Sequence, residues 1–122
     1  MKDYRQLNVW SKSHVLVKDL YLATSKFPRD ELFGMTSQIR RAVASIPTNI
    51  AEGCGRGSDA DFRRFMQIAF GSANEIEYLI FLSYELKYIQ ETDFLEYNNK
   101  IIEIKKMLAG MIKKLSVDIR KR

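Results

Sequence analysis

Side chains suited to catalysis or metal binding are scarce in this sequence of 122 residues. It contains one histidine, His14, and one cysteine, Cys54. A di-metal site in a helical protein needs Glu-x-x-His pairs, and His14 has no glutamate three residues before it. Cys54 falls at the end of a predicted helix, where the helix dipole opposes a thiolate. Glu75 and Glu77 lie on different helix faces and form no acid–base pair. We therefore expect no enzymatic activity, no metal and no cofactor.

Basic residues form the second set that could do chemistry, because they can bind the phosphates of a polyanion. The chain carries a net charge of +5, and its segment 105–122 holds seven bases and one acid, an excess of +6. The rest of the chain therefore sums to −1, and this concentration of charge favours nucleic-acid binding. The predicted contacts are Lys105, Lys106, Lys113, Lys114, Arg120, Lys121 and Arg122, followed by Arg56, Arg63 and Arg64. The alternative is a solvated helix end whose lysines complement the helix dipole.

Four amphipathic segments are predicted to position these residues, at about 7–24, 36–53, 58–88 and 92–115, with a basic tail over 116–122. Their apolar residues recur by three and four, which indicates helices. Short connections predict one all-α domain over 1–122, an up-down-up-down antiparallel four-helix bundle. In the first helix the predicted bundle-facing seam consists of Leu7, Trp10, His14, Val17, Tyr21 and Thr24. This seam makes His14 a hydrogen-bonded core residue.

The second helix carries few charged residues around its circumference. Its polar stripe consists of Gln38, Arg41, Ser45, Asn49 and Glu52, and its apolar stripe of Met35, Ile39, Ala42, Val43, Ile46 and Ile50. Both stripes keep their phase through Pro47, so we expect a kink there rather than a helix end. A helix with so little charge is typically packed on more than one side. We expect it to contact its own bundle and a second subunit. The alternative is the central helix of a monomer.

The glycine-rich segment 53–57 predicts a turn between the second and third helices. Its three glycines favour a left-handed C-cap and a flexible connection. The segment lacks the lysine and the preceding strand of a phosphate-binding loop. Ser58 and Asp61 form a capping-box-like pair that predicts the start of the third helix.

An antiparallel arrangement about this turn predicts partners for the polar stripe. It brings Arg41 near Glu75, and Glu52 near Arg63 or Arg64. Buried charges are tolerated only when they are paired in this way. The predicted structural network or interface comprises Gln38, Arg41, Ser45, Asn49, Glu52, Ser72 and Glu75.

The segment 38–53, QIRRAVASIPTNIAEG, resembles the signature of a bacterial family of four-helix-bundle proteins first found in intervening sequences of 23S rRNA genes. The run 65–77, with AFGSANE at 69–75, resembles the later part of the same signature. The resemblance covers about residues 7–115. More distantly, the chain is similar to the accessory variability protein of diversity-generating retroelements.

The resemblance implies a four-helix bundle that assembles as a ring-shaped homopentamer. The retroelement relatives bind nucleic acid through a basic surface and partner a reverse transcriptase, and some family genes lie within rRNA genes. Together with the charge, this favours a non-enzymatic RNA-binding accessory protein associated with ribosomal RNA. A ring of five copies would multiply the charge of the chain fivefold. The alternative is an oligomeric scaffold that binds a protein partner without nucleic acid.

The cellular location is predicted from what the sequence lacks. A single cysteine forms no internal disulfide, which favours the reducing cytoplasm. We find neither a signal-peptide pattern nor an apolar run of membrane-spanning length, so no membrane partner is expected.

Overall fold

A computed structural model describes residues 2–121 and confirms the all-α four-helix bundle. Its helices are α1 (Asn8–Thr24), α2 (Ser37–Cys54), α3 (Asp59–Glu85) and α4 (Glu91–Arg120). Each helix packs against its neighbour in sequence, and α1 also packs against α4, which closes the bundle in up-down-up-down order. Three short turns supplement them, two of 3₁₀ type (Tyr4–Gln6 and Arg29–Glu31) and one of π type (Leu32–Thr36). Over 2–121, none of the helices is apolar for a long enough stretch to cross a bilayer.

The core consists mainly of branched aliphatic side chains from all four helices. The predicted apolar stripe of α2 is confirmed, because every one of its six members is buried. Pro47 lies inside α2 and is itself buried, so the helix continues through the proline as expected. The apolar period of the fourth helix predicts a seam of seven residues: Phe94, Tyr97, Ile101, Ile104, Leu108, Met111 and Leu115. All of them are buried except Phe94 and Met111, which are half-buried. Burial of these side chains removes apolar surface from water and is the main stabilising contribution to the bundle.

The predicted seam of α1 was wrong. The buried residues of α1 are Val9, Ser13, Leu16, Leu20 and Thr24, of which the predicted seam contained Thr24 alone. His14 is exposed and Trp10 is half-buried, on the side of α1 that adjoins α2. The core stripe tolerates two hydroxyls because each donates to a carbonyl of its own helix. Ser13 Oγ lies 2.9 Å from the Trp10 carbonyl oxygen, and Thr24 Oγ1 lies 2.7 Å from that of Leu20.

At the turn between α2 and α3, the predicted N-cap of α3 is present, but the predicted C-cap of α2 is not. The Ser58 side chain accepts a hydrogen bond from the Asp61 backbone N–H at 3.2 Å, which confirms the cap. The left-handed glycine cap was wrong, since Gly55 has φ −86° and ψ −4°. Gly53 serves close packing instead. A Cβ at this position would lie 3.0 Å from Phe62 Cδ1 and from Phe65 Cβ.

Helix α3 ends at Glu85 rather than near residue 88 as predicted. A residue in the left-handed conformation follows this end of the helix. Lys87 has φ 66°, the one positive value for a non-glycine residue in 2–121. The backbone N–H of Tyr88 donates to the Ser83 carbonyl at 2.8 Å, and that of Lys87 to the Tyr84 carbonyl at 2.9 Å. These two bonds form a Schellman motif that satisfies the last carbonyls of the helix.

Helix α4 is longer than predicted at both ends. It starts at Glu91 with Gln90 as its N-cap, rather than at Thr92. The predicted basic tail over 116–122 is also wrong for residues 116–120, which continue the helix. Leu115 is buried there and Ser116 bonds to α3, so tertiary contacts hold the last turns in place. The charged end of the chain is therefore a rigid helical surface.

Candidate nucleic-acid interface

The basic residues of the α2–α3 turn and of the end of α4 meet at one end of the bundle. The antiparallel packing of α3 and α4 brings the start of α3 beside the last turns of α4. A groove of about 440 Å³ between them is lined by Ala60, Arg63, Ser116, Ile119 and Arg120. We define the basic end as Arg56, Arg63, Arg64, Lys113, Lys114, Arg120 and Lys121. Arg63 of the first group and Arg120 of the second, far apart in sequence, thus line the same groove.

Two arginines of the basic end share one aromatic ring. The guanidinium carbons of Arg56 and Arg64 each lie 4.7 Å from the centroid of the Phe65 ring. Phe65 is buried in the core, so this ring is a fixed support. Cation–π contacts of this kind restrict guanidinium groups that would otherwise be mobile. Both cations are therefore held against the same ring near the turn.

The ion pairs of the same two arginines, with acids three or four residues before them in sequence, are long. Arg56 Nη2 lies 3.8 Å from Glu52 Oε2, and Arg64 Nε lies 3.8 Å from Asp61 Oδ1. Exposed pairs at this separation contribute little free energy. The guanidinium groups thus keep donors available for a phosphate, which they can bind through two parallel hydrogen bonds.

Arg63 connects the two helices that form the groove. Its Nε donates to Ser116 Oγ at 2.6 Å, and Ser116 Oγ donates to the carbonyl of Ile112 at 2.8 Å. This chain of bonds fixes the guanidinium of Arg63 beside Arg120 at the groove wall. Ser116 was absent from the predicted site because its role depends on contact between α3 and α4.

The lysines of α4 differ in how free they are to contact a phosphate. Lys106, Lys113 and Lys114 are exposed and form no ion pair among residues 2–121. Lys105 is poorly placed to bind a phosphate, because its Nζ lies 2.6 Å from Glu77 Oε1 and its side chain is only 24% exposed. Its Nζ also lies 5.8 Å from the centroid of the Phe70 ring. Arg120 and Lys121 are exposed at the helix end, and Arg122 lies outside the described residues.

Cys54 lies beneath the turn and is unsuited to nucleophilic chemistry. Its side chain is buried, and this burial raises the pKa of the Cys54 thiol above its ordinary value. A raised pKa lowers the fraction of thiolate, which is the reactive form. Residues 2–121 bring no three His, Cys, Asp or Glu side chains together in a way that could hold a metal ion.

The polar stripe of α2 forms a network with α3, although not with all of the predicted partners. Ser45 Oγ and Ser72 Oγ lie 2.8 Å apart, and Asn49 Nδ2 donates to the Ser45 carbonyl at 2.8 Å. Gln38 Nε2, rather than Arg41, donates to Glu75 Oε2, at 3.3 Å. Within one subunit the predicted pair of Arg41 with Glu75 is therefore wrong.

The predicted pairs of Glu52 were also wrong. Glu52 lies near Arg56, one turn further along the chain, and not near Arg63 or Arg64. Arg41 is exposed and forms no ion pair within residues 2–121.

Comparison with known proteins agrees with the resemblance found in the sequence. Residues 5–110 match the family described as 23S rRNA-intervening sequence protein. The crystal structure of a protein of unknown function from the S23 ribosomal protein family of Bacteroides thetaiotaomicron is similar, with a TM-score of 0.80 and 33% sequence identity. That similarity covers 86% of this chain and 95% of the other. No curated protein sequence matches significantly. The family match, which spans most of the bundle, shows that this chain belongs to the 23S rRNA-intervening sequence protein family.

Proposed function

We propose that this chain is a non-enzymatic RNA-binding accessory protein that assembles into a homo-oligomeric ring and contacts RNA phosphates through its basic end. The observation that carries the proposal is the convergence of bases from the α2–α3 turn and from the end of α4 on one surface. The alternative, a scaffold that binds a protein partner without nucleic acid, becomes an outcome of the test.

The arginines of the basic end support contact with phosphate. Arg56, Arg63 and Arg64 are each held by a ring or a hydroxyl, so binding costs less side-chain entropy than it would for free arginines. The lysines at 113 and 114 add mobile charge beside them. Contacts of this kind position a backbone and carry no direct sequence information. We therefore expect RNA binding that tolerates changes of sequence and weakens as salt increases.

Assembly would strengthen weak contacts. In a closed cyclic ring every copy has the same orientation, so all the basic ends would lie on the same rim. Weak contacts made by several subunits at once give an avidity well above the affinity of one subunit. A homopentamer is the subunit number that the family resemblance implies, and light scattering at micromolar concentration tests it. A stable monomer would contradict this part of the proposal.

The test compares two triple variants that change net charge equally. The first changes Lys113, Arg120 and Lys121 of the basic end to Gln. The control changes Lys18, Lys26 and Lys87 to Gln, three exposed bases in the opposite half of the bundle. RNA affinity is measured at several salt concentrations for both variants and the parent. Each lost contact with single-stranded RNA should reduce the log–log salt slope by about 0.7.

We expect the first variant to lose about two units of slope and the control to keep the slope of the parent. Equal effects of the two variants would mean that net charge, and not the basic end, drives binding. A parent that fails to bind RNA even at low salt would favour the scaffold. A cytoplasmic location with ribosomal RNA as the ligand belongs to the same proposal, and co-sedimentation with ribosomal particles from the native host tests it.

A further inference from the structure

A groove between α1 and α2 has aromatic rings on one side and short side chains on the other. It has a volume of about 430 Å³, which lies in the range of small-molecule sites. Its lining includes Tyr4, Trp10 and His14 on the first side, and Ala44 and Ala51 of α2 on the second. The short side chains of the alanines leave room beside the rings. A groove of this kind suits a flat aromatic ligand, which can pack its face against the rings.

The rings of the groove lie outside the buried stripe of α1. That stripe is formed by other residues of the helix, among them Val9, Leu16 and Leu20. Trp10 is only half-buried and His14 is exposed. Aromatic rings that are grouped in a groove and remain partly exposed favour contact with another molecule.

The aromatic side of the groove is a short stack with one open face. Tyr4 packs edge-on against Trp10, with ring centroids 4.9 Å apart. The His14 ring lies at the same separation from Trp10 and is nearly parallel to it, with 12° between the two planes. Within residues 2–121, His14 has no other ring contact and no hydrogen bond. A further planar ring can therefore extend the stack on the solvent side of His14.

The groove adjoins the basic end of the bundle. Glu52 is part of the groove lining, and its Oε2 lies 3.8 Å from Nη2 of Arg56, a member of the basic end. The backbone N–H of Lys2 donates to the Cys54 carbonyl at 3.0 Å, which holds the segment before α1 against the end of α2. A nucleic-acid strand with a phosphate at Arg56 therefore brings the attached nucleoside to the mouth of the groove.

The polar groups of the groove suit a base better than a phosphate. Glu52 is the one acidic or basic side chain among the described residues that line it, and Glu52 also offsets the charge of Arg56. The Glu52 carboxylate can accept hydrogen bonds from the N–H groups of a base. Thr48 also lines the groove, and its hydroxyl is exposed and forms no hydrogen bond within residues 2–121. It can donate to a base or accept from one.

We propose that the α1–α2 groove binds one unpaired base of a single-stranded RNA whose phosphates contact the basic end. The inference rests on the proposed RNA binding and adds that the preferred ligand is single-stranded. Bases of a duplex are paired and stacked on their neighbours, so they are not free to enter the groove. Every base has a face that can stack on an aromatic ring, so this contact tolerates changes of sequence.

The first test uses the fluorescence of Trp10, which is the only tryptophan of the chain and lines the groove. Three probes of equal length are titrated at low salt: a single-stranded RNA, the same RNA in a duplex, and an abasic strand that offers phosphates without bases. The anisotropy of an end label on each probe measures binding, and the emission of Trp10 measures occupation of the groove. We expect all three probes to bind and only the single-stranded RNA to quench Trp10.

Substitutions of His14 test the stack without disturbing the core, because this side chain is exposed. His14→Ala should weaken the binding of single-stranded RNA about tenfold and leave the affinity for the abasic strand unchanged. His14→Phe restores an aromatic face and should keep the affinity of the parent. Tyr78→Ala is the matched control, since it removes an exposed ring on α3, and it should bind all three probes as the parent does.

A further variant closes the groove from the α2 side. Ala44→Leu places a larger side chain in the lining, and Ala109→Leu, at an exposed position of α4, is its control. Ala44→Leu should abolish the quenching of Trp10 and bind single-stranded RNA no more tightly than the abasic strand. The control should behave as the parent does. Both variants should keep the parent's affinity for the abasic strand, because the basic end is unchanged.

Several outcomes would overturn the inference. Equal quenching by the abasic strand, binding of single-stranded RNA without quenching, or parental affinity in His14→Ala would exclude a base from the groove and leave the basic end as the RNA site. Emission of Trp10 that changes with protein concentration in the absence of RNA would assign the groove to contact between copies. A parent that binds none of the three probes would contradict the RNA-binding function, and the groove inference with it.

Discussion

The two ends of the bundle differ in how their connections are held and in what they expose. At the basic end a short turn over 55–58 joins α2 to α3, and its cations rest on Phe65. At the opposite end a long connection over 25–36 contains a 3₁₀ turn and a π turn. The Glu31 carboxylate holds this connection, because it accepts the backbone N–H of Met35 at 3.0 Å and the Tyr88 hydroxyl at 2.7 Å, a pair of bonds that we call the Glu31 clasp. That end exposes the apolar residues Leu22, Leu32, Phe33, Leu86 and Leu95.

This difference gives the two ends surfaces of different chemistry. Charged contacts at the basic end are weakened by salt and tolerate many partners. Apolar contacts at the opposite end need shape complementarity and are nearly independent of salt. Substitutions at the basic end should therefore change RNA binding and leave the apolar surface of the opposite end intact.

The largest expected effect is on the packing of the basic end. Gly53→Val should lower the free energy of unfolding by about 1–3 kcal/mol, because its side chain would overlap Phe62 and Phe65. Gly57→Val is the control, since a Cβ there meets nothing within 4 Å. Urea unfolding of both variants measures the difference. Equal stabilities would show that α2 and α3 can separate at Gly53 without cost.

A smaller effect is expected when the two sides of the basic groove are disconnected. Arg63→Met keeps most of the aliphatic contact but removes the hydrogen bond to Ser116, and should cost about 1 kcal/mol. It should also weaken RNA binding, whereas Ser116→Ala should reduce stability and keep the charge. Unfolding and RNA affinity measured on both variants separate the two roles. Full RNA affinity in Arg63→Met would remove that residue from the interface.

The Glu31 clasp predicts a pH dependence for the opposite end. The backbone N–H of Met35, and then the Tyr88 hydroxyl, lower the pKa of Glu31 below its ordinary value of 4.5. A lowered pKa in the folded state means that the stabilisation is present above pH 4.5 and is lost as pH falls through the folded-state value. In Tyr88→Phe this acid-side loss should be smaller, because one cause of the shift is gone.

Unfolding by urea at neutral pH and at a series of values below pH 4.5 measures the loss in the parent and in Tyr88→Phe. Tyr84→Phe is the matched control, because Tyr84 stacks on Phe94 and is not part of the clasp. An unchanged acid-side loss in Tyr88→Phe would mean that the Tyr88 hydroxyl does not contribute to the clasp.

The smallest effect is expected at Arg41. Because Arg41 is exposed and unpaired within residues 2–121, Arg41→Ala should change the stability of one subunit by less than about 0.5 kcal/mol. Pairing of Arg41 with an acid of a neighbouring subunit remains a prediction. Thermal melting and sedimentation of Arg41→Ala distinguish the two situations. A weakened assembly with an unchanged subunit would support a contact across the interface.

Much of the bundle could be predicted from local patterns. The apolar stripe of α2, the seam of α4 and the Ser58 cap depend on residues within a few turns of one another, and the structure confirms them. The two signature segments predicted the family for the same reason. The bases of the proposed site stay a prediction, and the groove that Arg63 and Arg120 share was not predicted.

The sequence alone determined that four amphipathic helices form, because helical periodicity and capping act over short separations along the chain. Only the tertiary structure decided which of the two stripes of α1 faces the core. Ser13 is buried because its hydroxyl bonds to its own helix, yet in the sequence it resembles a surface residue. Trp10 and Tyr21 resemble core residues in the sequence, although Trp10 is only half-buried and Tyr21 is exposed. It also decided that Gln38 contacts Glu75, that Arg63 bonds to Ser116 and that Phe33 is exposed. These outcomes depend on the register and crossing of distant helices, which no local pattern specifies.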